Sequence, residues 1–437
     1  MLKEFKSHID TNLSFLSKKK VLIACSGGLD SVVLTILCHS LDMFCSIAHC
    51  NFKLRAEESD GDQIFTENLA NHLDIPFFVT SFETNNYAKE YALSTQMAAR
   101  KLRYDWFREL LNQHDFDYVL TAHHLDDSLE TFLINLSRGT GIEGLLGIPE
   151  VNDIYVRPLL PFSRDQILQY ATEHKLQWRE DSSNKSTKYV RNKLRHLVIP
   201  ELLSVNHTFL QNFETTIENL RTTHSFINEQ VGRLKQELFE YSGTETIKIS
   251  IDSLLGFENP KGYLFLLLKE YGFTAWDDIL DLLTAQSGKQ IFSSTHRLIK
   301  DRTFIILSPL NKIVTKQSYK IPEDEHMIMI PSGILKFKEV TEMSEIDLKT
   351  IYVDKKTLKY PLIVRKWKEG DYFYPIGMKG KKKVSKYCKD EKLSVLAKER
   401  VFLLCSEEDV VWVINYRADN RFKITPTTDQ IVKITIT

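Results

Sequence analysis

The chain has 437 residues with a formal net charge of −1, and is 43% hydrophobic, 26% charged and 11% aromatic. This composition excludes a disordered or collagen-like chain and suits about three domains at roughly 150 residues each. With so little net charge, a nucleic-acid partner must be met by a local basic patch rather than by the chain as a whole.

The N-terminal segment, residues 1–15, is amphipathic and mixed in charge. No later run approaches the roughly 18 apolar residues of a membrane span, so a chain neither exported nor membrane-spanning is expected. From 20 to about 136, short apolar runs alternate with helical patterns: VLIACS then DSVVLTILCHSL, FCSIAHC then an acidic helix, FFVTSF then TQMAARKLRYDWFRELL, DYVLTAHH then LDDSLETFLINLS. Such alternation predicts an α/β domain, a parallel sheet with helices on both faces, with ligands beyond the carboxyl ends of its strands. The polar clusters Ser26 to Ser31, His49 to Arg55 and His123 to Asp127 fall at those ends.

After Pro200 helical periodicity takes over, and from about 315 strand-like runs dominate (HMIMI, LIVRKW, VFLLCS, VVWVINY, FKITP, IVKITIT). Three domains are expected: 1–205, a mostly helical 206–312, and a small α+β, strand-rich 313–437. Cys25, Cys38, Cys45, Cys50, Cys388 and Cys405 form no C-x-x-C pair and have no histidines at zinc-ligand spacing. Reduced thiols and a cytoplasmic location are expected.

Ser26-Gly27-Gly28-Leu29-Asp30-Ser31 lies between an apolar strand and a helix. Two glycines allow a tight turn that bares N–H groups to an anion, and the helix N-terminus adds partial positive charge. The competing reading is a glycine turn whose Asp30 and Ser31 merely cap the helix. No Walker pattern is present, because Ser287-Gly288-Lys289 lacks the rest of that motif. Gly139-Thr140-Gly141-Ile142-Glu143-Gly144 spells a dinucleotide fingerprint but follows a helix, and is read instead as a flexible loop at the site mouth.

Asp126, Asp127 and Glu130 occupy helix positions that share a face, so they can hold Mg2+ or a ligand ammonium; a solvated acidic helix start is the alternative. Arg100 and Arg103, three residues apart, can reach the same phosphates, with surface ion pairs as the alternative. His123 gains weight from these neighbours, whereas His124 is read as packing. Arg191 and Arg195 are read evenly between contact with RNA or an adenylate and plain helix-surface arginines. Between Arg365 and Arg400 stand 12 Lys or Arg against 5 Asp or Glu, a local +7 centred on Lys379, Lys381, Lys382 and Lys383. Tyr372, Phe373, Tyr374 and Tyr387, interleaved with it, are candidates for stacking on exposed bases.

The hexapeptide at 26–31 resembles the loop of the ATP pyrophosphatase family. That resemblance implies a Rossmann-like fold of the adenine nucleotide alpha hydrolase type, in which Ser26, Gly27, Gly28, Leu29, Asp30 and Ser31 hold ATP. Further blocks resemble the lysidine synthases within it: HCNFKLR at 49–55, ARKLRY at 99–104, AHHLDDSLET at 122–131, RGTG at 138–141, and YVRNKLR at 189–195. Arg365, Gly370-Asp371, Pro375, Gly377 and the lysine run resemble that family's C-terminal domain less specifically.

The resemblance implies ligation of lysine to carbon 2 of the wobble cytidine in the CAU anticodon of an isoleucine tRNA, through an adenylated cytidine. It implies catalytic roles for His123, Asp126, Asp127, Glu130 and Arg103, and ATP contact by Arg100. It also implies tRNA contacts at Asn51, Lys53, Arg55, Arg191, Arg195, Lys381, Lys382 and Lys383, and Mg2+ at Asp30 and Asp127. Free lysine and the tRNA are the expected partners, and a homodimer is entertained as the assembly. A tRNA thiolase of the same superfamily, an amidating synthetase, and a noncatalytic RNA-binding protein with a relic nucleotide fold stand as alternatives.

Overall fold

A computed structural model describes residues 1–55, 57–180, 190–242, 245–310, 318–343 and 347–437, which form two compact units, Met1–Glu229 and Gln230–Thr437. In the first unit α1 (Leu2–Asn12) precedes β1 (Val21–Ala24), α2 (Leu29–Ser40), β2 (Cys45–Asn51), α3 (Glu57–His72), β3 (Phe77–Ser81), α4 (Thr84–Glu90), α5 (Thr95–His114), β4 (Tyr118–Leu120) and α6 (Leu125–Arg138). Then follow a hairpin of β5 (Val151–Asn152) and β6 (Tyr155–Val156), α7 (Arg164–Glu173), α8 (Val190–Lys193), a π-helical turn (Leu194–Val198), α9 (Ile199–Val205) and α10 (Phe209–Leu238).

The sheet order is β3-β2-β1-β4-β6-β5, parallel except for the antiparallel edge strand β5. Alternation along β1 explains why both faces are covered. Val21 and Ile23 pack with Val33, Leu34 and Leu37 of α2 and Ile167 of α7, whereas Leu22 packs with Phe107, Leu110 and Leu111 of α5. Strands run outward from β1 to β3 on one side, and the chain then crosses back to place β4 on the other. The order therefore reverses between β1 and β4, which opens a crevice above their carboxyl ends. Leu125 and Leu129 of α6 are buried with Ile199, Phe213 and Ile217, so α6 is fixed from behind by α9 and α10.

The second unit begins with an antiparallel sheet not foreseen from the helical text. It contains β7 (Glu240–Ser242), β8 (Thr246–Ser250), β9 (Gln290–Phe292), β10 (His296–Asp301) and β11 (Phe304–Pro309) in the order β7-β8-β11-β10-β9. The short helices α11 (Ile251–Leu255), α12 (Pro260–Leu268) and α13 (Trp276–Leu282) are inserted between β8 and β9. The expected boundary at 312 and 313 lies outside the described residues.

Beyond it come β12 (Ser318–Ile321), β13 (Met327–Ile330), β14 (Gly333–Val340), β15 (Thr350–Asp354), β16 (Leu362–Lys366), β17 (Tyr372–Phe373), β18 (Lys382–Lys383), α14 (Val384–Asp390), α15 (Val395–Glu399), β19 (Phe402–Ser406), β20 (Asp409–Val413), β21 (Arg417–Ala418) and β22 (Ile431–Ile436). They build sheets β12-β16-β19-β20-β21 and β13-β14-β22-β15 around Trp412, Leu404, Val364 and Ile434. The run FKITP, read as a strand, instead starts at Phe422, the last residue of a 3-10 turn (Asn420–Phe422), and makes a single bridge from Lys423 to Val353.

Candidate active site

The turn after β1 is shaped from within. Gly27 adopts φ +85°, and a Cβ there would lie 3.3 Å from both Phe65 and Thr66 of α3, so no other residue fits without strain. Ser31 is buried; its hydroxyl donates to Gly28 O at 2.9 Å and accepts from Ser26 N at 3.2 Å. Ser31 thus holds the loop's shape, while Gly28 as the N-cap of α2 leaves the helix N-terminus at its mouth.

Across the crevice, His124 is 1% exposed and surrounded by carboxylates. Its Nε2 lies 3.5 Å from Asp127 Oδ2 and 3.8 Å from Asp30 Oδ2, so the loops after β1 and β4 meet on this ring. Its Nδ1 lies 3.4 Å from Asp126 Oδ2, without hydrogen-bond geometry. Burial lowers the His124 pKa, but Asp126, Asp127 and Asp30 outweigh it and hold the pKa above its ordinary value. His123 is different. Its Nδ1 meets Thr121 Oγ1 at 3.0 Å, and burial pushes its pKa down to about 4, which keeps it neutral.

The three carboxylates of α6 do not converge as the shared-face reading expects. Consecutive helix residues point about 100° apart, so Asp126 turns aside and accepts from Arg164 N at 2.8 Å. Asp127 and Glu130 face the arginines: Arg191 Nη2 lies 3.0 Å and Arg195 Nη2 3.2 Å from Asp127 Oδ1. Glu130, 0% exposed, accepts from Arg191 Nε on one oxygen and from Arg195 Nε on the other. Burial raises the Asp127 pKa, but His124 and Arg191 more than reverse this and leave it below the usual carboxylate range.

These contacts decide which groups fit a cation. Asp127, expected to hold Mg2+, has both oxygens engaged by protein donors: Oδ1 takes both guanidiniums and Oδ2 accepts His124 N at 3.1 Å. Asp30 Oδ1 is buried and has no hydrogen-bond partner, and burial raises its pKa; it is the carboxylate that suits a cation beside the phosphate loop.

A PP-loop domain model matches residues 1–202, a TilS substrate binding domain model 242–310, and a TilS substrate C-terminal domain model 362–434. The tRNA(Ile)-lysidine synthase of Parabacteroides distasonis is 38% identical over 437 residues, spanning 99% of each chain. That of Bacteroides thetaiotaomicron is 37% identical over 430 residues, spanning 97% of each chain. The chain belongs to the tRNA(Ile)-lysidine synthase family.

For a lysidine synthase family member, the remaining sequence-predicted residues separate into those near the crevice and those tied elsewhere. Arg100 and Arg103 rest on different rings: Arg100 lies over the Tyr104 ring and Arg103 over Phe52. Asn51 is buried and bonded to Asp60 and Gln63, which fits a structural anchor rather than an RNA contact. Lys53 pairs with Glu83 and Arg55 with Asp62. Arg191 and Arg195 are the ion-pair partners of Asp127 and Glu130 rather than free surface arginines; Tyr189 lies outside the described residues. The segment at 139–144 is not a slack loop. Ile142–Leu145 is a 3-10 turn, and Asn135 Nδ2 donates to Gly144 O at 2.8 Å.

The basic patch is likewise sorted by the strand alternation of β17 and β18. Phe373 and Tyr387 are buried in a core with Val384 and Leu403, so they cannot stack on bases. Tyr372 is 41% exposed with Lys381 4.7 Å over its ring, and Tyr374 lies under Arg421. Lys382 is held by Asp390 at 2.7 Å, while Lys381 and Lys383 face outward. Arg365, by contrast, braces the turn through Asp371 at 2.7 and 2.8 Å.

His124 was passed over because a histidine beside another carries no spacing signal. Arg179 and Asp62, which the sequence reading omitted, also reach the phosphate loop: Arg179 N donates to Gly27 O at 2.9 Å, and its guanidinium pairs with Asp62.

Proposed function

We propose that this protein joins free lysine to carbon 2 of the wobble cytidine in the CAU anticodon of an isoleucine tRNA, consuming ATP and releasing AMP and pyrophosphate. The observation that carries this reading is the meeting of the phosphate-loop Asp30 with His124, Asp126 and Asp127 at the strand switch point, in a chain of the lysidine synthase family.

In the first step the cytidine O2 bonds to the α-phosphorus, and the bond to the bridging oxygen breaks toward pyrophosphate. The turn at Ser26–Gly28 and the α2 N-terminus supply N–H groups for the phosphates. Mg2+ at Asp30 would supply charge neutralisation for the pyrophosphate as it leaves. In the second step the lysine ε-amine bonds to C2, and the C2–O bond breaks with its electron pair leaving on AMP. The ammonium gives up a proton before attack, and the amine loses another afterwards. Asp126, whose side chain is 24% exposed and has no metal to hold, is the carboxylate open to receive them. Arg191, 42% exposed beside Asp127, suits the carboxylate of a free amino acid.

Lys381, Lys383 and Tyr372 are proposed to follow the tRNA backbone and an unstacked base. The thiolase alternative needs an ionised thiol, whereas burial pushes Cys50, the thiol of the HCNFKLR block, up to about 12. A reduced, cytoplasmic setting is supported by six free thiols. Among the described residues no helix is long and apolar enough to cross a membrane.

The test incubates the protein with ATP, Mg2+, radiolabelled lysine and unmodified isoleucine tRNA bearing a CAU anticodon. Label that stays on the RNA through mild base, and is lost when that cytidine is replaced, is the expected result. Pyrophosphate release without label would overturn lysine as the acceptor.

A further inference from the structure

Around the phosphate loop, three stretches distant in sequence close a ring. The middle of α3 packs on Gly27, where Phe65 and Thr66 lie 3.3 Å from a would-be Cβ. The segment at Arg179 packs on the other side: its N–H donates to Gly27 O at 2.9 Å, and its carbonyl oxygen lies 4.0 Å from the Cβ position of Gly28. The Arg179 guanidinium then returns to α3, where its Nε donates to Asp62 Oδ1, while Arg55 Nη2 donates to Asp62 Oδ2 at 2.9 Å. Gly61 makes room for this, because a Cβ there would lie 2.9 Å from Arg179 Nη2.

We infer that the Arg179–Asp62 ion pair is a latch that sets the phosphate loop for ATP, with Arg179 as a positioning residue. The inference rests on the function proposed above and adds to it a residue outside the loop and outside the carboxylate cluster. A turn held at φ +85° presents its amides to an anion only while its carbonyl is fixed. Here that carbonyl is fixed by the main chain of a residue whose side chain is anchored 117 positions away. The Asp62 side chain is 14% exposed and that of Arg179 39%, so the pair is shielded on the carboxylate side and is charge-assisted at both ends. Opening the ring loosens the loop without touching His124, Asp126 or Asp127.

The test measures dissociation constants of the full chain for α,β-methylene ATP by equilibrium dialysis, without tRNA or lysine, and in parallel the KM for lysine in transfer. Arg179→Met and Asp62→Asn are each expected to weaken nucleotide binding about tenfold, the loss of one charge-assisted contact. The lysine KM should stay near wild type, and Arg179→Lys should recover part of the nucleotide affinity. The latch is overturned if both variants bind the analogue as wild type does, or if the lysine KM moves as far as the nucleotide constant. Because analogue binding is read without lysine transfer, a wild-type protein that binds it yet modifies no tRNA would overturn the function proposed above and leave the latch standing.

Discussion

Glu130 is the most deeply buried acid of the site, and both its oxygens are taken by arginine Nε atoms. In Glu130→Gln one acceptor becomes an NH2 group facing a guanidinium, and Asp127 alone is left to balance two cations. Removing one partner of a fully buried pair costs about 3–5 kcal/mol. Arg191 and Arg195 are 42% and 23% exposed, so water recovers part of that. About 2 kcal/mol is the expected loss after this discount. For a unit of this size that is roughly 4–8 °C in melting temperature. Differential scanning calorimetry reads this directly, with nucleotide-analogue binding as the companion assay. A melting point within about 1 °C of wild type would refute the reasoning that Glu130 holds the arginines. So would a loss of analogue binding as large as the loss of lysine transfer.

His124 gives a pH dependence of definite sign. Its folded pKa lies above the ordinary histidine value of about 6.5, so its stabilisation is complete below that value and fades as pH rises through the raised folded pKa. The melting-temperature gap between wild type and His124→Asn should therefore shrink from pH 6 upward into the alkaline range, and a constant gap would contradict it. Cys50, pushed up to about 12 by burial, should resist iodoacetamide in the native protein at neutral pH, and Cys50→Ser should retain lysine transfer. Rapid alkylation together with lost activity would reopen thiol chemistry. Lys381→Ala and Lys383→Ala should each lower the salt slope of tRNA binding by about 0.7–0.9. Lys382→Ala, whose lysine is committed to Asp390, should lower it less; filter binding across a salt series separates them.

The α/β sheet was legible from β1 to β4 because each of those strands is a short apolar run followed by helical text, a pattern with few other solutions; the two-residue strands β5 and β6 carry no such signal. The phosphate loop was legible for a related reason, since Gly27 at φ +85° admits no other residue and the hexapeptide is local. The five-stranded sheet from Glu240 to Pro309 was not. Its edge strands β7 and β9 are three residues long, too brief to show a period of two, and three short helices interrupt the sheet between β8 and β9. The carboxylate cluster was half legible. Spacing brought Asp127 and Glu130 to one face, but their arginine partners lie some 60 residues downstream. No local pattern reveals that they are already paired. Likewise, the aromatics between lysines at 372–387 could not be divided into core and surface until the pairing of Tyr372 with Lys383 fixed which side faces inward.

The central claim is that the oxygen on carbon 2 of the cytidine leaves on AMP. A tRNA carrying 18O at that oxygen, incubated with the protein, ATP and lysine, tests it by mass spectrometry of the released nucleotide. The account predicts AMP bearing one 18O for each lysine incorporated; unlabelled AMP, or ADP in its place, would contradict it.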